Sequence, residues 1–208
     1  MRRILAGELI AIASSVVIFL LTASVGFADP AVETIVFIRH GEKPDGGLGQ
    51  LTCQGLNRAL ALPAVIARMF GKPDAIFAPN PSIQKKDDGK PYYYVRPLAT
   101  IEPTAIAFGL PVDVSLGAFD TDGLRTVLES PAYRTKLILV VWEHHEIETI
   151  VRILIASHGG DGSAIPSWEG DDFDSIYSIK LFWNGDTATS TFERTRENLD
   201  GQPARCPR

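Results

Sequence analysis

Residues 34–42 read Thr34-Ile35-Val36-Phe37-Ile38-Arg39-His40-Gly41-Glu42. The first five form an apolar, β-branched run of strand length, which predicts a buried strand. The run stops abruptly at a cation, a histidine and a glycine. The stretch from Arg39 to Gln50 carries Pro44, Gly46, Gly47 and Gly49 and is a loop by composition. A buried strand that ends on Arg-His sets both side chains at its carboxyl end, where open α/β sheets bind ligands.

The chain on either side supports such a sheet. Thr52 can cap a helix running to about Phe70, stopped by Gly71 and Pro73, with a kink expected at Pro63. Asp74 to Ala78 is a second short strand. Asn80 to Lys90 is polar and charged, which predicts a surface loop. Pro97 suits the first turn of a helix through Phe108, ended by Gly109 and Pro111. Val112 to Ser115 is a third strand and Thr121 to Leu128 a short helix. Leu137 to Trp142 is the most apolar strand, and helical spacing follows from Glu146 to Ala156. Ile176 to Trp183 and Thr187 to Phe192 alternate, with the turn pair Asn184-Gly185 between them. Strands alternating with helices predict an α/β three-layer sandwich. Its sheet is mostly parallel, with helices on both faces and a C-terminal antiparallel hairpin.

The polar residues directly after the strands then converge. Arg39, His40, Gly41 and Glu42 follow the first strand; Glu143, His144, His145 and Glu146 follow the strand ending at Trp142; Arg96 precedes a helix start. Guanidinium forks match phosphate oxygens two at a time, and helix N-termini favour anions. A histidine among them can act as a nucleophile toward phosphorus. Fixed cations in such a pocket take the place of a metal, so the reading calls for no metal and no cofactor.

These residues resemble the signature of the histidine phosphatase superfamily, the clan of phosphoglycerate mutases and acid phosphatases. Arg39-His40-Gly41-Glu42 after a strand is similar to its R-H-G motif, and Leu51-Thr52-Cys53-Gln54-Gly55 to its L-T-x-x-G helix start. Arg96, ahead of Thr100 and Thr104-Ala105, is similar to its second arginine. Leu137 to His144 is similar to the strand that ends in its second histidine. The resemblance spans roughly residues 34–155. It implies that His40 is the nucleophile and forms a phosphohistidine. Arg39 and Arg96 would bind the phosphoryl oxygens, and His144 would complete the cationic pocket. Ser157-His158-Gly159-Gly160 is superficially closer to the family's second-histidine motif. No helix can follow it, however, so His158 is expected at a helix C-terminus, roughly 20 Å along the helix from His144.

The proton donor departs from the family, which uses a Glu after the third strand or an Asp after the second histidine. Here that loop holds Asp113, Asp120 and Asp122, with no Glu until Glu129, and His145 follows His144. Glu42, Glu143, Glu146, His145 and Asp120 all remain candidates. The implied function is a metal-independent phosphatase acting on a small phosphorylated molecule or a phosphoprotein. The alternative is a catalytically degenerate member that binds phosphorylated ligands or a partner protein. Lys43 is either a pocket-rim charge or a solvated lysine. Trp142 either stacks on a substrate ring or forms a wall. Residues 80–95, with Tyr92, Tyr93 and Tyr94, are expected to border the pocket.

The first 28 residues have export character. Arg2 and Arg3 precede an uncharged stretch from Leu9 to Leu21, and Gly26-Phe27-Ala28 fits small-x-small before a cut ahead of Asp29. The expected mature domain is 29–208, periplasmic or secreted. The alternative is an uncleaved anchor, because Leu9 to Phe27 gives 19 uncharged residues, close to a bilayer span. Across the 208 residues the net charge is −5 without a basic run, which excludes a phosphate-backbone binder and so a nucleic-acid partner. Two cysteines, Cys53 and Cys206, are too few for a disulfide scaffold or a four-thiolate zinc site. Export would permit them to pair; otherwise they are free thiols.

Overall fold

The computed structural model describes residues 31–208, so the expected segment 1–28 lies outside the described residues. The main sheet has the order β2-β5-β1-β6-β7. β1 (Ala31–Arg39), β2 (Ala75–Phe77) and β5 (Leu137–Trp142) are parallel neighbours, and β6 (Ser175–Asn184) and β7 (Thr187–Arg196) form the closing hairpin. Only β6 runs against the rest.

Strand alternation divides the core into two layers. Ile35 and Phe37 of β1, with Ile138, Val140 and Trp142 of β5, pack on α3 (Thr121–Leu128) and α4 (His144–Ser157). Val36, Ile38, Leu139 and Val141 face the other way, onto α1 (Cys53–Met69) and α2 (Arg96–Phe108). Both faces are apolar, which is why these strands read as continuous apolar runs. No helix among the described residues is long and apolar enough to cross a membrane.

Three expectations are corrected. Residues 80–90 are not all surface loop: β3 (Gln84–Asp87) and β4 (Lys90–Tyr93) pair as a second, two-stranded sheet. Asp88 and Gly89 turn it, at φ 47 and 76, so the Asp-Gly turn signal was present. The strands lack apolar alternation because what anchors them is an ion pair of Asp87. The expected strand at Val112 to Ser115 reduces to a single bridge between Phe77 and Asp113. The helix expected from Glu146 begins at His144, because the Glu143 carboxylate accepts hydrogen bonds from the amides of His145 and Glu146 and caps it. Of the two readings of the cysteines, Cys53 and Cys206 form a disulfide.

The C-terminal segment is held by one buried cation. Arg58 of α1 donates to Glu42, Asp174, Glu197 and Asp200, and its side chain is wholly buried. Asp174 also accepts from the amides of Asn198 and Leu199. Burial pushes Glu197 up to about 8, against the pull of Arg58. At the other end of β1, buried Glu33 accepts from the Trp183 indole at 2.9 Å, while its second oxygen has no partner among the described residues. Burial raises its pKa to about 7.

Two stability predictions follow from these groups. Arg58→Met leaves buried carboxylates without their cation and should cost about 3–5 kcal/mol in denaturant unfolding; a loss below about 1 kcal/mol would mean the cluster is not structural. Glu33 is penalised when charged, so wild-type stability should fall as pH rises from its unfolded value toward about 7. Glu33→Gln keeps the acceptor for Trp183 without that charge. It should therefore be the more stable protein at pH 8 and lose the advantage at pH 4.5, read by thermal melts across that range.

Candidate active site

β1 and β5 run parallel in a register that sets Arg39 opposite Trp142, and the His40 amide donates to the Trp142 carbonyl at 3.1 Å. The chain segments Arg39-His40 and Glu143-His144 therefore leave the sheet side by side. Arg39, His40, Arg96, Glu143 and His144 are all buried.

Glycine contacts shape the loop after β1. A Cβ on Gly55 would stand 2.5 Å from the Glu42 carbonyl oxygen, and one on Gly41 would stand 3.0 Å from the Gly55 carbonyl oxygen. Backbone thus lies directly on backbone: no larger residue fits at Gly55, and at Gly41 a Cβ fits only if the facing backbone gives by a few tenths of an ångström. Thr52 caps α1 by accepting from the Gly55 amide. Thr100, one turn into α2, accepts from the Gly41 amide at 2.9 Å while donating to the Arg96 carbonyl at 2.7 Å. This is the local reason for an Arg-x-x-x-Thr spacing.

The His40 ring is oriented by its own loop. Nδ1 lies 2.9 Å from the Gly41 carbonyl oxygen, which accepts only from an N–H, so Nδ1 carries the proton. Nε2 is left as a bare lone pair and accepts from Arg96 Nε at 3.3 Å. Burial, and then the Arg96 charge, hold the pKa of His40 well below the ordinary histidine value. The ring is neutral at physiological pH and its Nε2 carries no proton.

Each arginine is anchored in a way that spares donors. Arg96 binds Asp87 through Nη1 and Nη2, at 2.6 and 2.8 Å. That end-on fork leaves the Nε edge, which faces His40. Arg39 uses Nη1 for the carbonyls of Gly170 and Asp172, both at 2.9 Å, and stacks 3.9 Å over the Phe173 ring. Its buried Nε has no partner among the described residues. Burial lowers Arg39 to about 10, still charged at neutral pH. A buried guanidinium edge without an acceptor is a donor waiting for an anion.

His144 is the first residue of α4. Its Nδ1 is 2.6 Å from Oε1 of Glu143, a close approach outside hydrogen-bond alignment. Its Nε2 comes within 4.0 Å of the point a Gly170 Cβ would occupy, so His144 and Arg39 flank the same residue. His158 caps the far end of α4, paired with Glu129 at 3.1 Å and edge-on to Trp183. The structure brings Arg39, His40, Arg96 and His144 to one edge and leaves His158 away from it.

The proton-donor candidates separate. Glu42 is bound by Arg58. Glu143 caps α4, and its neighbours His144 and Lys85 outweigh burial and lower it to about 2. Asp120 caps α3 through the Gly123 amide, and Asp113 accepts from the Ser115 amide. Asp122 is exposed in the first turn of α3. His145 is exposed, its ring 4.0 Å from that of His144. Glu146 is part-buried and raised, by burial and by Glu143. Trp142 forms a wall: it is buried and donates to the Ala118 carbonyl at 2.7 Å. Lys43 is exposed. Ligand atoms of Glu143, His144 and His145 lie within 4.8 Å of one another, so this group could hold a metal ion, with Glu143 Oε2 still capping α4 and Oε1 turned toward His144.

Sequence reasoning missed Asp87, Lys85 and Phe173. Asp87 and Lys85 lie within residues 80–95, which the sequence sets at the pocket border, but only Asp88-Gly89 signals the hairpin that turns both side chains inward. Phe173 lies in a Gly- and Asp-rich segment with no such signal.

No protein-family model matches the sequence, and no curated protein matches it. Solved structures do match. One is assigned as the phosphohistidine phosphatase SixA of Nakamurella multipartitia, at 16% identity and TM-score 0.54, over 79% of this chain and 98% of that one. A mycobacterial glucosyl-3-phosphoglycerate phosphatase matches at 12% identity and TM-score 0.56, over 77% and 97%. Phosphoglycerate mutase from Plasmodium falciparum matches at 13% identity and TM-score 0.51, over 78% and 89%. At these identities the likeness is one of fold: the chain is built on the phosphoglycerate mutase-like fold that these phosphatases and this mutase share.

Proposed function

We propose that this chain is a metal-independent phosphatase of the histidine phosphatase superfamily, acting through a phosphohistidine on His40. The observation that carries the reading is the pairing of a neutral His40, its Nε2 unprotonated, with the Nε edge of Arg96 at 3.3 Å. Phosphatases among the proteins of the same fold add support.

In the mechanism, a phosphoryl group enters between the Nε edges of Arg39 and Arg96 and displaces the Arg96–His40 contact. Nε2 of His40 attacks phosphorus and the bond from phosphorus to the ester oxygen breaks, its electron pair leaving on that oxygen, while the Gly41 carbonyl holds the Nδ1 proton and stabilises the cationic ring. Arg39, Arg96 and His144 neutralise charge on the phosphoryl oxygens, and Glu143 keeps His144 oriented. Water then attacks the phosphohistidine and returns Nε2 to its bare state. These fixed, desolvated cations supply the stabilisation a metal would otherwise give.

A non-catalytic binder of phosphorylated ligands is the second reading. It is favoured by the absence, among the described residues, of a carboxylic acid both raised and buried beside His40. Turnover decides between them. Hydrolysis of p-nitrophenyl phosphate should persist in excess chelator, and His40→Ala should abolish it while leaving the melting temperature within a few degrees. His144→Ala should lower kcat/KM by about 10²-fold or more, and His158→Ala by less than about 3-fold. Equal losses at the two histidines would exclude His144 from the site.

Export completes the proposal. The character of residues 1–28 suggests it, and a disulfide between Cys53 and Cys206 suits an oxidising compartment. Fractionated cells should yield a mature chain starting near Asp29 outside the cytoplasmic membrane, with no reactive thiol before reduction. A cytosolic chain that keeps Met1 would overturn this.

A further inference from the structure

Cleaving a phosphate ester leaves an alkoxide unless a proton reaches the departing oxygen. Of the carboxylates around His40, Glu42 is committed to Arg58, Glu143 to the α4 cap and Asp120 to the α3 cap; Glu146 is the one left uncommitted among those named, and it is the rival that the test below separates.

Lys85 of β3 is also uncommitted. Strand alternation puts Lys85 and Asp87 on the inner face of the β3–β4 hairpin, with Gln84 and Lys86 exposed. Asp87 grips Arg96 from that face. Lys85 Nζ stands 5.2 Å from the centre of the Tyr94 ring and 5.3 Å from that of Phe119. The Tyr94 ring is wholly buried, edge-on to the His40 ring at 6.1 Å and under the Arg96 guanidinium at 4.9 Å. One aromatic ring therefore touches the surroundings of the nucleophile, the phosphate-binding arginine and the lysine. Phe119, 59% exposed, forms the outer side of the lysine's slot. Lys85 is half-buried, and among the described residues it makes no ion pair; Glu143, Glu146 and Asp87 act on it only at longer range.

Resting on the phosphatase reading, we propose that Lys85 is the leaving group's proton donor. As Nε2 of His40 forms its bond to phosphorus, the bond from phosphorus to the ester oxygen breaks and its electron pair stays on that oxygen. The oxygen takes a proton from the Lys85 ammonium, and the alcohol leaves. The neutral Lys85 amine then accepts a proton from the attacking water, whose oxygen bonds to phosphorus as the P–N bond breaks and its pair returns to Nε2. Hydrogen phosphate leaves and Lys85 is an ammonium again, so the cycle closes without a further reactant. Burial and the nearby Arg96 charge lower the pKa of Lys85, which suits both halves of this exchange.

The test is a leaving-group series: phenyl, p-nitrophenyl and 2,4-dinitrophenyl phosphate, with phenol release measured in the first turnover. Lys85→Gln should lose about 10²-fold or more on phenyl phosphate. It should lose less than about 10-fold on the dinitrophenyl ester, whose leaving group needs no proton. Lys85→Arg restores the charge but cannot release a proton, so it should show the same gradient. A uniform loss across the series, rescue by arginine, or the gradient appearing instead in Glu146→Gln would overturn the assignment. Because the gradient is an internal ratio for each variant, a partly misfolded preparation does not imitate it. Wild-type protein that releases no phenol from any ester would remove the phosphatase reading, and this inference with it. Wild-type turnover without a Lys85 gradient removes the inference alone.

Discussion

The parallel pairing of β1 with β5, in the register that sets Arg39 against Trp142, is the constraint on which the rest of the molecule depends. It delivers Arg39-His40 and Glu143-His144 to the same sheet edge. A slip of β1 by one residue would exchange its two faces. Ile35 and Phe37 would turn toward α1 and α2, away from Ile138 and Val140, and the layer against α3 and α4 would lose part of its centre. The same apolar alternation that builds the core thus aligns the candidate site, which needs no separate device to bring its two histidines together.

Around that edge, position is set by close backbone contact and by ion pairs at the back of the site. Gly41 and Gly55 let the loop after β1 lie on the start of α1. Thr100 ties the Gly41 amide to the first turn of α2. Asp87 holds Arg96 from behind, and Arg58 holds Glu42 from the other side of the loop. Buried charge of this kind contributes little net stability, but removing one partner is costly. Its effect here is orientation: with Nη1 and Nη2 bound to Asp87, the remaining edge of Arg96 has one direction to face.

The protonation states follow from the same packing. His40 lies between two buried arginines and is neutral, while Glu143 lies beside His144 and Lys85 and is ionised. The proposed attack on phosphorus calls for a histidine nitrogen without a proton, and neither of these protonation states is a property of the residue type alone. The disulfide and the Arg58 cluster fasten the C-terminal segment onto α1, the helix whose first turn supports the His40 loop.

Much of this was legible in the residues themselves. The runs Thr34–Ile38 and Leu137–Trp142 announce buried parallel strands because both of their faces are covered, and Asn184-Gly185 announces the hairpin because a two-residue turn needs such residues. Arg39, His40, Arg96 and His144 could be picked out because each directly ends a strand or opens a helix, so local pattern placed them. His158 could be set aside because no helical pattern follows it. The roles of Asp87, Lys85, Arg58 and Phe173 were not legible. Each depends on a partner far along the chain or across the β3–β4 hairpin: Arg58 reaches Glu42, Asp174 and Glu197, and Phe173 lies under Arg39. Hydrophobic periodicity reports which face of an element is buried, but it does not report which buried charge meets which. The pairing of Cys53 with Cys206 and the capping of α4 by Glu143 were likewise left to the tertiary structure, since a cysteine count and a list of acidic residues contain no distances.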